Sequence, residues 1–237
     1  ALVAKARRNL QSLKLANVRL KHGDGSHDLN ETLAVDAIVV TDAEIHGAHS
    51  FAALERDWAG RSVPTHDCAP DDVCDLYYTS GTTGRPKGVM CSHFNFESLL
   101  RYEQVIWNMG PSDHTMVALP LFHAKGLIIP CLLATYVGCP QTLLRRWDTR
   151  LVLELIERNQ VTFFAGVPTM YAYLNAFEDF ERYDIGSLRI CRVGGAPMPV
   201  EMMGAFEKKF DIELLEGFGL SETSPVASFN VVDRPRK

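Results

Sequence analysis

The sequence lacks the patterns that mark disulfide scaffolds, nucleic-acid-binding proteins and membrane proteins. Its six cysteines include no CxxC pair and several lie in apolar stretches, which favours buried free thiols in a reducing compartment over a zinc site. The net charge is -5, from 24 basic and 29 acidic residues, so we expect no nucleic-acid partner. Apolar runs are too short to span a membrane and no signal-peptide pattern is present, so we expect a cytoplasmic protein without a transmembrane segment.

The composition is that of a folded chain, but both ends are abrupt. The 237 residues are 46% hydrophobic and 22% charged, which is ordinary for a globular protein with a sizeable core. A helical pattern begins at Ala1 with no initiator Met before it, and the chain stops equally abruptly at Lys237. We therefore interpret the sequence as an internal piece of a longer protein.

Short apolar runs alternate with amphipathic stretches, which is typical of βαβ units. Ser50, Asp148 and Pro168 are expected to open helices. The pattern predicts helices over residues 1–13, 50–58, 93–109, 126–136, 149–159, 168–176 and 199–210. It predicts strands over residues 37–40, 75–79, 115–119, 141–144, 161–165, 188–193 and 212–215, with an extended segment at 89–91. The predicted fold class is α/β, with mostly parallel sheets flanked by helices.

Three of the predicted strands end in glycine-bearing loops, after residues 79, 193 and 215. Ligands of open α/β sheets bind at the carboxyl ends of strands, so we expect the site at these loops. Residues 79–88 combine three glycines, four hydroxyl residues and one lysine. Backbone amides freed by glycine form an anion-binding nest, so this segment is expected to bind phosphate. Its order excludes a Walker A loop, and no G-x-G-x-x-G fingerprint is present.

The segment 78–88, Tyr-Thr-Ser-Gly-Thr-Thr-Gly-Arg-Pro-Lys-Gly, resembles the phosphate-loop signature of the adenylate-forming superfamily. That superfamily includes acyl-CoA synthetases, the adenylation domains of peptide synthetases and beetle luciferases. The resemblance implies that residues 1–237 are part of the large N-terminal AMP-binding domain, without the C-terminal lid domain. It assigns ATP binding in this loop to Thr79, Ser80, Gly81, Thr82, Thr83, Gly84 and Lys87.

The same resemblance implies a reaction in two steps. A carboxylic acid reacts with Mg²⁺-bound ATP to give an acyl-adenylate, and coenzyme A then accepts the acyl group. The implied enzyme is an AMP-forming ligase of a fatty or aryl acid, with ATP, Mg²⁺ and coenzyme A as cofactors. The ribose-binding aspartate and the lid lysine of the family would lie outside this chain, so we expect the chain alone to be inactive.

Two later segments supply the rest of the implied ATP site. Residues 217–223 are similar to the family's Tyr-Gly-x-Thr-Glu motif, which places Phe218 against adenine, Ser221 at the α-phosphate and Glu222 at Mg²⁺. Residues 193–197 resemble the strand end beside adenine and the acyl chain. The ATP-binding residues of these segments are Gly195, Ala196, Pro197, Glu216, Gly217, Phe218, Gly219, Leu220 and Ser221. Gly194 and Gly195 are also assigned to the acid, while Glu222 alone would equally suit a helix N-terminus.

Three further similarities assign the remaining site residues. Residues 119–127 look like the Pro-x-Phe-His segment of acyl- and aryl-CoA synthetases, which puts His123 at the acyl tunnel in a gating or orienting role. Val167 lies in a Val-Pro-Thr helix start near the substrate pocket. Arg146 falls where several members have a basic residue near coenzyme A, although such residues are common before helices. The catalytic set implied by the resemblance is His123, Lys87 and Glu222.

Two alternative functions stay open at this point. A domain that adenylates amino acids for a carrier protein usually has an aspartate where this chain has His123, and that carboxylate would pair with the substrate's ammonium. The histidine therefore favours a non-amino acid, and a luciferase-type oxidation has no positive support. A non-catalytic nucleotide-binding module is the second alternative, against which Lys87, Ser221 and Glu222 argue. The sequence specifies neither the acid nor the oligomeric state.

Overall fold

The computed structural model describes residues 18–21, 37–40, 49–62, 67–79 and 87–231. The chain divides into two compact units, Ala1–Ala69 and Pro70–Lys237. In the first unit, strands β1 (Val18–Lys21), β2 (Ala37–Val40) and β3 (His49–Ser50) pair in parallel in that order. The predicted helix over 1–13 lies outside the described residues.

Helix α1 (Phe51–Trp58) follows β3 directly and begins as the sequence predicts. The Ser50 side chain accepts a hydrogen bond from the Ala53 backbone N–H at 3.3 Å, which satisfies one of the unpaired donors of the first turn. The helix therefore starts at a polar cap and not at an apolar contact.

The second unit opens with an antiparallel hairpin. Strand β4 (Val73–Thr79) pairs with β5 (Lys87–Ser92), and Thr79 lies opposite Lys87. The predicted strand at 75–79 is present, but it forms a sheet of its own apart from the parallel strands. The chain returns after too few residues for a parallel crossover, which needs a dozen or more. Ser80–Pro86, which contains Ser80, Gly81, Thr82, Thr83 and Gly84, lies outside the described residues.

A six-stranded sheet forms the centre of the second unit. Its order is β11-β10-β9-β8-β6-β7, and all neighbours are parallel except β11, which is antiparallel to β10. The strands are β6 (Thr115–Val117), β7 (Gln141–Leu143), β8 (Phe163–Gly166), β9 (Ile190–Gly194), β10 (Leu214–Phe218) and β11 (Ser228–Phe229). The mostly parallel α/β sheet predicted from the sequence is confirmed.

Helices separate these strands. They are α2 (His93–Ile106), α3 (Ala124–Gly126), α4 (Leu133–Val137), α5 (Thr149–Asn159), α6 (Pro168–Ala176) and α7 (Val200–Phe210), with 3₁₀ turns at Phe180–Arg182 and Ser221–Thr223. The predicted bounds of α5 and α6 agree with the structure. The Asp148 side chain accepts a hydrogen bond from the Leu151 backbone N–H at 2.9 Å, and Pro168 occupies the first turn of α6.

The apolar helix predicted over 126–136 differs from the structure. It begins at Ala124 and passes through a π-helical segment, Leu127–Leu132, that contains Pro130. Proline has no backbone N–H and crowds the preceding turn, so the wider π turn replaces regular α-helix here. The Pro130 carbonyl accepts a hydrogen bond from Thr115 Oγ1 at 2.9 Å, which ties this segment to the start of β6.

Alternate residues of the central strands enter two hydrophobic clusters. Phe164, Cys191 and Leu214 pack in one, with the faces of α5, α6 and α7, whereas Phe163 and Ile190 pack in the other, with α2 and α4. None of the six cysteines forms a disulfide, and the expectation of burial holds for Cys74, Cys91, Cys139 and Cys191, while Cys131 is half-buried and Cys68 is exposed. Within the described ranges, no helix has the length and apolar character needed to cross a membrane.

Candidate active site

The carboxyl ends of β8, β9 and β10 lie side by side. Gly166 pairs with Val193, and Gly194 pairs with Gly217, so these glycine-bearing strand ends meet at one edge of the sheet. Strand β10 runs to Phe218, so residues 216–218, which the sequence placed in a loop, belong to the strand. Two cavities that share residues open there, as expected for the ligand-binding edge of a parallel sheet.

The first, which we call the His123 cavity, has a volume of about 140 Å³. Its lining is formed by His123, Lys125, Ile129, Ala165, Arg192, Val193, Gly195, Gly217, Phe218, Gly219, Leu220, Ser221, Pro225 and Val226. The second, the Glu216 cavity, has a volume of about 650 Å³. Its lining is formed by Gly195, Ala196, Pro197, Glu216, Gly217, Phe218, Gly219, Leu220, Ser228, Phe229 and Asn230. The structure thus gathers the residues that the sequence assigned to ATP after positions 193 and 215.

Close packing fixes the backbone between the two cavities. A Cβ atom at Gly194 would overlap the carbonyl oxygen of Gly217, so β9 and β10 approach each other only with glycine at this position. Gly195 has φ of +88°, in the left-handed region that favours glycine. A Cβ atom at Gly195 would lie 3.6 Å from Val167 Cγ1, which places the predicted substrate residue Val167 beside this turn.

His123 stands at the start of α3 and is exposed. Its Nδ1 accepts a hydrogen bond from the Lys125 backbone N–H at 3.1 Å, so the ring acts as the N-cap of the helix. Because Nδ1 is the acceptor, a neutral ring carries its proton on Nε2. This capping contact holds the imidazole at the wall of the cavity and leaves Nε2 for a ligand.

Lys125 is a cavity residue that the sequence interpretation did not single out. Its Nζ donates hydrogen bonds to the carbonyl oxygens of Gly166 and Gly194, both at 2.7 Å, and so joins α3 to the ends of β8 and β9. Burial and the nearby Arg192 charge lower the pKa of Lys125 to about 7. The available signal was a charged residue between His123 and a long apolar stretch.

Arg192 is the second cation of the His123 cavity, and it too was missed. Its Nη1 donates to Glu103 Oε1 at 2.7 Å, and the two side chains are only 4% and 0% exposed. The guanidinium carbon lies 4.9 Å from the centre of the Trp107 ring and 5.1 Å from that of Phe229. An arginine within an apolar strand and a glutamate on an apolar helix face were the signals for this pair.

Other predicted residues lie elsewhere. Thr79 and Lys87 stand at the two ends of the hairpin connection, where Lys87 is exposed. Glu222 is exposed in the 3₁₀ turn and borders a third cavity, of about 430 Å³, together with residues of α2. Arg146 is exposed between β7 and α5 and borders none of these three cavities.

Comparison with known proteins places these features in a family. The AMP-binding enzyme family matches residues 5–237. A feruloyl-CoA synthase of Amycolatopsis sp is 36% identical over 173 residues, which cover 73% of this chain and 35% of that protein. A long-chain-fatty-acid–CoA ligase of Bacillus subtilis (strain 168) is 33% identical over 189 residues, which cover 78% of this chain and 33% of that protein.

A solved structure shares the fold over almost the whole chain. The anthranilate CoA ligase AuaEII in complex with anthranoyl-AMP superposes with a TM-score of 0.79 at 25% identity, covering 93% of this chain and 44% of that chain. The chain spans about a third of the length of the curated relatives it matches. The family match, these likenesses and the glycine-lined strand ends agree with the resemblance seen in the sequence: the chain belongs to the AMP-binding enzyme family.

Proposed function

We propose that the full-length protein, of which residues 1–237 would form part of the AMP-binding domain, is an AMP-forming acid–thiol ligase. It would activate a carboxylic acid with ATP to an acyl-adenylate and pass the acyl group to coenzyme A. The observation that carries this proposal is the junction of the Glu216 cavity and the His123 cavity at one set of strand ends. A nucleotide in the Glu216 cavity and an acid in the His123 cavity would meet at Gly195, Phe218 and Leu220, which line both.

The chemistry asked of the protein is mainly positioning and charge stabilisation. Phe218 presents an exposed ring for stacking on adenine, whereas the Glu216 carboxylate already accepts the Met198 backbone N–H at 3.2 Å and holds the loop wall. Lys87, exposed at the hairpin connection, would neutralise phosphate charge. His123 is held by its own cap and suits an orienting contact from Nε2 to the acid.

Magnesium fits this site only as a shared ion. Among the described residues, no three histidine, cysteine or carboxylate side chains cluster as a metal site. Glu222 would therefore supply one oxygen ligand, and the phosphates and water would supply the rest, which is the usual arrangement for Mg²⁺. Exposed Arg146 is proposed for a phosphate of coenzyme A, and the free thiols support a reducing, cytoplasmic location.

Acid-dependent ATP–pyrophosphate exchange by the full-length protein tests the proposal. With a panel of aryl and alkyl acids, we expect exchange with some acids, and thioester formation only when coenzyme A is added. Glu222→Gln should raise the Mg²⁺ concentration needed for half-maximal exchange. Glu201→Gln, at an exposed position of α7, should leave that concentration unchanged. Nucleotide binding without exchange for any acid would favour the non-catalytic module, and transfer to a carrier protein but not to coenzyme A would favour the adenylation domain.

A further inference from the structure

The Lys125 ammonium has one donor to spare. An ammonium group carries three N–H donors, and Lys125 places two of them on the carbonyls of Gly166 and Gly194. Within the described part of the chain, Nζ has no third acceptor and no carboxylate partner. Because Lys125 borders the His123 cavity, the remaining donor is available to a molecule bound there.

The two cations of the cavity differ in charge balance. Arg192 is paired with Glu103, so that pair is close to neutral. The described residues that line the cavity include no carboxylate, so the charge of Lys125 is uncompensated. Burial and the Arg192 charge lower the pKa of Lys125 to about 7, which reflects the cost of holding this cation without an anion. An anion in the cavity would reduce that cost.

The position of Lys125 along the cavity indicates which part of a ligand it would contact. Phe218 and Leu220 are exposed and line both cavities, whereas Lys125 lines the His123 cavity alone. Ala165 and Val193 are buried and line the cavity beside the strand ends that hold the lysine. A reacting carboxyl group at the shared side, near Phe218 and Leu220, would therefore leave its tail toward Lys125.

We propose that Lys125 is a specificity-determining residue, and that it selects acids with a second, anionic oxygen group on the tail, distal to the reacting carboxyl. This inference rests on the function proposed above and names its substrate class: dicarboxylic acids and acids with an acidic substituent. Lys125 would donate its third N–H to the distal oxygen and balance its charge. The apolar side chains of Ile129 and Val226 would contact the carbon chain between the two groups.

Selectivity between matched acids separates this role from simple anchoring of α3. We compare kcat/KM of the full-length enzyme for a monocarboxylic acid, a dicarboxylic acid and a hydroxy acid of equal chain length. The wild type should prefer the dicarboxylic acid. Lys125→Met should lower the ratio of dicarboxylic to monocarboxylic acid at least tenfold. Lys125→Gln keeps a donor without charge, and it should lower that ratio while preserving use of the hydroxy acid.

A matched control tests the loss of a lysine that also donates to backbone carbonyls. Lys209 Nζ donates to the carbonyl oxygens of Leu174 and Asn175 at 3.2 and 2.7 Å, and Lys209 lines neither cavity. Lys209→Met should therefore leave the ratio unchanged even if it lowers stability. An equal loss for both acids in Lys125→Met would overturn the proposal and reduce Lys125 to an anchor.

The pH profile supplies a readout that anchoring would not move. In the wild type, the selectivity ratio should fall as pH rises through about 7, because kcat/KM follows the free enzyme and Lys125 loses its proton there. The charged and titratable groups around Lys125 are Arg192 on β9, its ion-pair partner Glu103 on α2, and His123 two residues earlier in the chain. From β8, only the Gly166 carbonyl is hydrogen-bonded to Lys125 among the described residues. Glu216 on β10 accepts a hydrogen bond from the Met198 backbone N–H. Comparing a ratio cancels titrations that affect both acids.

The outcomes distinguish the two proposals. Turnover of the monocarboxylic acid without preference for the dicarboxylic acid would overturn the role of Lys125 and leave the ligase function intact. Absence of turnover with every acid in the panel would overturn the ligase function and this inference with it. A selectivity ratio that is flat with pH in the wild type would also contradict the charge-based role.

Discussion

The two cations beside the His123 cavity are held in opposite ways. Arg192 forms an ion pair with the buried carboxylate of Glu103, with Nη1 2.7 Å from Oε1, and its guanidinium lies over two aromatic rings. These partners all pack in the core. Among the described residues, Lys125 Nζ donates only to backbone carbonyls, and its charge has no partner of opposite sign there. Burial near a cavity therefore does not by itself make a cation part of the site. The arginine stabilises the fold, while the lysine is left for a ligand.

The largest expected effect comes from breaking the arginine side of this comparison. Glu103→Gln leaves the Arg192 guanidinium buried without a counter-charge, which should destabilise the protein by about 3–5 kcal/mol. Urea unfolding measures the loss. Glu97→Gln, at an exposed position of the same helix, should change stability by less than about 0.5 kcal/mol. A loss similar to that of Glu97→Gln would mean that the pair does not hold the core.

The backbone that supports the lysine can be disturbed next. Gly194→Ala puts a methyl group against the Gly217 carbonyl and should cost about 1–3 kcal/mol, because the strands must separate. It should also displace the carbonyl that holds Lys125 and lower kcat/KM. Gly204→Ala is the matched control, since its Cβ meets nothing within 4 Å in α7, and helix propensity should make it stabilising by about 0.5–1 kcal/mol. Equal signs for the two variants would contradict this account.

The lowered pKa of Lys125 also predicts that the stability of the protein depends on pH. The folded-state pKa of about 7 lies below the ordinary value of 10.5, so between these values the unfolded chain binds the extra proton. Stability therefore rises with pH across this window, by at most about 1.4 kcal/mol per pH unit, and the destabilisation is fully present below about pH 7. The difference in unfolding free energy between wild type and Lys125→Met should show this slope. A pH-independent difference would contradict a neutral lysine above pH 7.

The smallest effect concerns a more exposed ion pair of the same kind. Arg189 binds both carboxylate oxygens of Asp113 at 2.9 Å, but its side chain is 40% exposed. A double-mutant cycle with Asp113→Asn and Arg189→Gln should give a coupling energy of about 1 kcal/mol, because solvent screens this pair. The same cycle at Glu103 and Arg192 should give more. The reverse order would show that burial does not control the strength of these pairs.

Local signals made much of the fold predictable. The Asp148 cap and Pro168 marked the starts of α5 and α6, because the groups that start a helix lie within one turn of it. The site was expected at the strand ends near positions 79, 193 and 215, and the last two do meet, since parallel strands present their carboxyl ends at one edge. The strand that ends at Thr79 belongs to a separate hairpin. The roles assigned to Lys87, Glu222 and Arg146 stay predictions.

Nonlocal contacts account for what the sequence could not show. Lys125 becomes notable only where β8 and β9 bring together the carbonyls of Gly166 and Gly194, which lie 41 and 69 residues away in the chain. The pairing of Arg192 with Glu103 spans 89 residues. The π-helical segment was not predicted, because hydrophobic periodicity carries no information about the hydrogen bond between Thr115 and the Pro130 carbonyl.

The contrast between Gly194 and Gly195 constrains how this pocket can evolve. At Gly194 a backbone oxygen occupies the place of any side chain, so mutation there damages the scaffold before it can alter the ligand. At Gly195 there is space, but the left-handed backbone penalises other residues. Under the proposed function, new substrate preferences would be most accessible through Ile129 and Lys125, whose side chains line the His123 cavity and can change in size or charge while the strand ends stay in place.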